Sequence, residues 1–224
     1  MPEAALRPDE IFAFRHLARA LDGFEAPRQP FAPDGAWTAT YDLVERSARQ
    51  IVHGALRLER TPEADGRFRL RLALRKQSGG GVMQARGDIL CQADALSSPL
   101  SWSLESDAVD RAGQPVPDLH LSEQGQIAAG QVRLRRGGRE RLTPLHGPVT
   151  MDWCLFDAVQ RLPRGMDTAL RFGLLDRLGG SIKDEQVLSR GPDLSVTLGG
   201  ERVWQEVAEP LEAGTRYRPV EALE

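Results

Sequence analysis

Between Arg67 and Leu74 the chain keeps two parities apart. Phe68, Leu70, Leu72 and Leu74 take one, and Arg67, Arg69 and Arg71 take the other. A helix turns 100° per residue and would spread those leucines around its whole circumference. Only a strand, with its period of two, puts the leucines on one face and the arginines on the other. Such a strand has one packed face and one solvated face, as antiparallel sheets do.

The same period recurs along the chain. Trp37, Ala39, Tyr41 and Leu43 alternate with Thr38, Thr40 and Asp42. Val52, Gly54, Leu56 and Leu58 alternate with residues that include His53 and Arg57. Weaker copies run through Met83–Ile89, Leu100–Leu104 and Ala128–Leu134, with a short strand near Leu142. Further strands are expected over Ala169–Leu175, Ile182–Leu188, Leu194–Leu198 and Arg202–Val207. Turn residues separate them: Ala64-Asp65-Gly66, Ser78 to Gly81, Gly137-Gly138 and Gly199-Gly200.

Two segments break the pattern. Ile11, Phe14, Leu17, Ala18 and Leu21 recur at helical spacing, which predicts a helix over about residues 9–23. A Pro-rich connector, 26–35, follows it with Pro27, Pro30 and Pro33. Met151, Leu155, Ala158, Val159 and Leu162 form a second apolar stripe, with Thr150 as its cap, Asp152 in its first turn and Pro163 as its stop. The fold class is therefore mainly β and antiparallel: a curved sheet, open barrel or sandwich of about ten strands with two amphipathic helices. It reads as a single β-rich domain over 1–224.

Composition narrows the function classes. Hydrophobic residues are 41% of the 224, enough for a sizeable core. Net charge is -3, so no cationic surplus drives binding to nucleic acid. Lysine occurs only at 76 and 183 among 29 basic residues, a bias that a GC-rich genome explains. No apolar run reaches the roughly 20 residues of a membrane span. The opening residues lack a basic stretch followed by an apolar one, so no signal peptide is read there. The compartment is then the periplasm or envelope if a signal was removed, and otherwise the cytoplasm.

Motifs for chemistry are few. His16, His53, His120 and His146 show no metal-ligand spacing, and Cys91 and Cys154 form no CxxC pair. No metal site and no cofactor are expected. The glycine pairs lie between strands and not before a helix, which argues against a phosphate cradle. A disulfide between Cys91 and Cys154 stays open at this point, as does a pair of buried thiols. The catalytic candidates are Tyr41, His146, Asp152 and Cys154, with His146 as the one base near Cys154 in sequence. Asp152, Asp157, Asp167, Asp176 and Asp184 crowd one stretch, and caps and turns account for them. Trp37, Trp102, Trp153 and Trp204 would line an apolar ligand pocket if they converge.

Tyr41-Asp42, Gly54 to Leu58 and Gly66 to Leu70 together resemble a family of exported bacterial β-rich proteins of unknown function. The run Leu155 to Pro163 is similar to that family's central helix, and Gly214 to Tyr217 fits its final strands. The resemblance covers about residues 36–217. It implies an envelope location and a curved sheet wrapped around a helix, as in bacterial lipoprotein carriers, and supplies no catalytic residues.

These readings converge on a non-enzymatic binding or carrier protein of the bacterial envelope, with an apolar small molecule or lipid as its partner. Two alternatives stand beside it. One is a small-molecule enzyme (isomerase, cyclase or hydrolase type) with its site inside the curved sheet. The other is a scaffold that joins partners through a sheet edge.

Overall fold

The computed structural model describes residues 32–44, 52–78, 80–162, 169–176, 181–190, 195–198, 201–207 and 216–219. The helix expected over 9–23 and most of the connector lie outside these residues. The end of the connector, Ala32 to Gly35, is a turn closed by the Gly35 N–H donating to the Ala32 carbonyl at 2.9 Å.

Eight strands form one antiparallel meander in sequence order: β1 (Trp37–Val44), β2 (Val52–Pro62), β3 (Arg67–Ser78), β4 (Gly81–Gln92), β5 (Pro99–Asp110), β6 (Leu121–Ala128), β7 (Gln131–Arg136) and β8 (Arg139–Pro144). Among the described residues β1 and β8 are free edges, so the sheet does not close into a barrel. The register obeys the parity read from the sequence. Leu70 faces Arg60 and Ile89, and Leu72 faces Leu58 and Gly87. Phe68, Leu70, Leu56, Leu58 and Ile89 have no solvent exposure.

A second sheet takes the order β14 (Arg216–Pro219), β13 (Glu201–Val207), β12 (Ser195–Leu198), β11 (Ser181–Arg190), β10 (Leu170–Asp176) and β9 (Val149–Met151). Its strands are antiparallel apart from β9, which runs parallel to β10. A parallel neighbour needs a crossover, and the crossover here contains helix α1 (Asp152–Ala158), which runs on into a single 3-10 turn over Val159–Arg161.

Every residue from Trp153 to Gln160 is buried. A helix apolar on all sides must be covered on all sides. One side of α1, with Trp153, Cys154 and Phe156, packs on the inner face of the large sheet against Leu58, Leu70 and Cys91. The other, with Leu155 and continuing to Val159 and Leu162, packs on Phe172, Leu174 and Leu188 of the second sheet. The helix is a wedge shared by two hydrophobic clusters.

The structure corrects the sequence reading in four places. Fourteen strands are described, against about ten; of the two expected helices, the second corresponds to α1 and the one over 9–23 lies outside the described residues. The strand expected over Ala128–Leu134 is split by a turn at Ala129 and Gly130, whose φ values of 49° and 72° reverse the chain between β6 and β7. Strand β6 was hidden because Glu123 and Gly125 interrupt its inward parity between Leu121 and Ile127. Thr150 does not cap α1: it lies in β9, where its hydroxyl donates to the Leu96 carbonyl at 2.6 Å, and Met151 holds the cap position with no side-chain bond.

Candidate functional site

The outward parity of β3 to β8 carries polar side chains. A cleft of about 580 Å³ opens there. It is lined by Arg69, Asp88, Ser101, Ser103, Gln124, Gln126, Arg133, Arg135 and Glu140, with Trp102 and Gly125 at its floor. Arg69 spans Glu63 at 2.8 Å and Asp88, and these two hydrogen bonds raise its guanidinium above the ordinary arginine value. Arg133 lies 3.7 Å from Glu140. Among the described residues Arg135 has no carboxylate within ion-pair distance. The cleft thus offers three guanidinium groups against two carboxylates, with hydroxyls and amides that both donate and accept.

The floor of the cleft is fixed from beneath. A Cβ at position 125 would sit 2.0 Å from the Trp102 ring, so only glycine lets the indole lie flat across β6. The Trp102 Nε1–H donates to Glu123 Oε1 at 2.9 Å, and Arg136 donates to the other oxygen. A buried carboxylate on the inward parity is therefore satisfied on both oxygens, as burial of a charge requires.

A second cleft, of about 370 Å³, is lined by Pro144 to Val149, Arg171, Phe172, Gly173, Ile182 and Glu185. His146 belongs to it. Glu185 takes a left-handed φ of 57° where the pairing of β10 with β11 slips by a bulge. A non-glycine residue in that region carries backbone strain.

The interior holds a third polar group. Asp157 of α1 is fully buried and gathers four contacts. Arg60 Nε lies 2.9 Å from its Oδ1, close enough for an ion pair although the N–H is not aligned on the oxygen. Arg161 reaches its Oδ2 at 2.9 and 3.2 Å, and the Ser97 hydroxyl donates to the same oxygen at 2.7 Å. Arg60 also donates to the carbonyls of Asp34 and Gly35, and Arg161 to the Asp94 carbonyl at 2.6 Å. The Arg60 guanidinium stacks 4.2 Å above the Phe68 ring. Burial pushes Arg60 below the ordinary arginine value; Asp157 and Asp34 oppose that shift, and neighbouring Arg161 adds to it. Arg161 also lies 3.8 Å from the exposed carboxylate of Asp34, so one edge of the cluster reaches the surface. The cluster acts as a clasp that joins α1, β2 and the loops at 34–35 and 94–97.

The four catalytic candidates do not assemble. Tyr41 packs its ring 5.2 Å from Phe156. Asp152 accepts a bond from the Trp153 N–H at 2.9 Å, at the start of α1. Cys154 is fully buried, and that burial, together with Cys91, pushes its thiol well above the ordinary value, away from the thiolate that a nucleophile needs. His146 is exposed in the second cleft, which none of the other three lines. Trp37, Trp102 and Trp153 belong to one packed core cluster, and the side chain of Trp204 lies outside the described residues. Between the sheets beside Trp102 there remains about 10 Å³, room for one water.

The sequence reading missed Arg60, Glu123 and Arg161, and it assigned Asp157 to caps and turns, whereas the structure buries it in α1 between two arginines. The signal was present for three of them: Arg60 continues the inward parity of Leu56 and Leu58, Glu123 shares its parity with Ile127, and Asp157 interrupts the apolar run of α1. A charge on an apolar parity points to a buried pair.

No helix among the described residues is long and apolar enough to cross a membrane. Comparison with known proteins finds no matching family model and no matching curated protein. Among solved structures the chain is similar to a β-barrel-like protein of a domain of unknown function from Brucella abortus. The TM-score is 0.45 at 12% identity, over 80% of this chain and 70% of that one.

Proposed function

We propose that this chain is a non-enzymatic binding protein of the bacterial envelope, and that it holds its ligand in the polar cleft on the outer face of β3 to β8. The observation that carries the reading is the cleft's size together with its lining. About 580 Å³ is the scale of a small-molecule site, whereas the described space between the sheets beside Trp102 is that of one water. Among the described residues, an apolar ligand at that place would have to displace core side chains, and a polar ligand in the outer cleft would not. Three arginines against two acids, with serines and glutamines between them, favour a hydroxyl-rich ligand bearing negative charge. Arg135 is the group left to receive that charge.

Calorimetric titration tests this with three probes: a neutral maltooligosaccharide, an acidic oligogalacturonate and a long-chain fatty acid. Saturable binding of the acidic sugar, weakened at least tenfold (about 1.4 kcal/mol) by Arg135→Glu, is the expected result. Binding of the fatty acid alone, unchanged by that substitution, would return the interior apolar site to first place.

A second reading, an enzyme, rests on one observation. His146 and Arg171 share the second cleft with Glu185, whose backbone is strained. Turnover abolished by both His146→Ala and Glu185→Gln, with binding at the first cleft intact, would favour it.

A further inference from the structure

We propose that Cys91 and Cys154 form an intramolecular disulfide that staples β4 to α1. The chain contains two cysteines, 63 residues apart, and the fold brings them to 3.7 Å, sulfur to sulfur. Both are fully buried, on opposite sides of the boundary between the large sheet and the helix wedged into it. Reaching the bond length of about 2.05 Å requires the two sulfurs to approach by roughly 1.7 Å. A metal does not explain the pair: two sulfurs are too few ligands, and among the described residues no third His, Cys, Asp or Glu joins them. The inference is independent of the outer cleft, and it suits an oxidising compartment such as the envelope.

The chemistry balances with a low-molecular-weight disulfide as oxidant. One cysteine loses its proton, and its thiolate attacks a sulfur of the oxidant, breaking that S–S bond and expelling one small thiolate. The second cysteine, also deprotonated, attacks the protein sulfur of the mixed disulfide, forming the Cys91–Cys154 bond and expelling the second small thiolate. Two electrons pass from the cysteines to the oxidant, and the two protons end on the two small thiols. With α1 seated, neither sulfur is reachable and Cys154 is held as the thiol, so exchange belongs to the chain before the helix docks. Once formed, the bond is shielded from reductant for the same reason.

The test is to refold the reduced full chain in a mixture of oxidised and reduced glutathione, then alkylate it in denaturant and measure the intact mass. The expected product is a monomer lighter by two hydrogens, with no alkylated cysteine. Its Tm should exceed that of the reduced protein by about 10 °C, from the long loop the bond closes. Cys91→Ser and Cys154→Ser should each remove the difference between oxidised and reduced samples. Two alkylated thiols, a disulfide-linked dimer, a stable glutathione adduct, or an oxidised form that melts with the reduced one would each overturn the proposal.

Discussion

Replacing Asp157 by asparagine is the sharpest probe of how the two layers are held. The substitution is nearly isosteric, so it opens no cavity. It removes one negative charge from between Arg60 and Arg161, whose side chains are 2% and 9% exposed. Neither guanidinium can lose its proton or turn out to water without abandoning the carbonyls of Asp34, Gly35 and Asp94. Two like charges then face each other in a medium that screens poorly, with the largely exposed Asp34, 3.8 Å from Arg161, as the one described carboxylate still beside them. Breaking a buried pair in this way costs about 3–5 kcal/mol. At about 2–4 °C per kcal/mol for a chain of this size, Tm should fall by roughly 6–20 °C. Urea unfolding followed by circular dichroism measures it, with the midpoint shifting and the slope constant. The double variant Arg60→Met with Asp157→Asn should lose less than the sum of its singles, because the stranded cation is gone. A loss below about 1 kcal/mol, the range of an exposed pair, would refute the view that Asp157 is the counter-ion of a closed cluster.

Three further outcomes follow from the packing. In the fully reduced protein, the folded state keeps the Cys154 proton that the unfolded chain releases above about pH 8.5. Fewer protons are then bound unfolded than folded, so stability should decline by up to about 1.4 kcal/mol per pH unit above that point. Cys154→Ala should flatten that part of the pH profile in urea titrations. Gly125→Ala should force the Trp102 ring off β6, lowering stability by about 1–3 kcal/mol and changing the near-UV circular dichroism. An unchanged spectrum would show that the ring is not held there. Ala129→Gly, at a left-handed turn position with φ of 49°, should raise Tm slightly, for a gain of at most about 1 kcal/mol.

The sequence was legible wherever a strand is solvated on one side. Parity alone located β1 to β5, and the helical spacing of Met151, Leu155, Ala158, Val159 and Leu162 located α1. It failed where parity carries no hydrophobic contrast. Strand β6 has a glutamate and a glycine inward, β9 is three residues long, and β14 reads Arg-Tyr-Arg-Pro. Thr150 fits a helix cap on local chemistry, and a pairing with β10, distant in sequence, decided otherwise. The outer cleft was invisible for a different reason. Its polar lining residues come from β3 to β8 at outward positions, and only the register of the meander sets them side by side. The approach of Cys91 to Cys154 depends on where α1 docks, which no local pattern encodes.

The wedge-like position of α1 also bears on how the chain is made. Strands β1 to β8 pair only with their neighbours in sequence, so they can zip up hairpin by hairpin as the chain emerges from the ribosome. Among the described residues their inner face is covered by Met151, Trp153, Cys154, Phe156 and Leu175, so that cover is complete only once synthesis passes residue 175. During that interval a large apolar sheet stands naked in water, the kind of species on which chaperones act. Pulsed amide exchange during refolding should therefore protect β2 to β5 before Trp153 to Val159; simultaneous protection would mean that helix and sheet form as one cooperative unit.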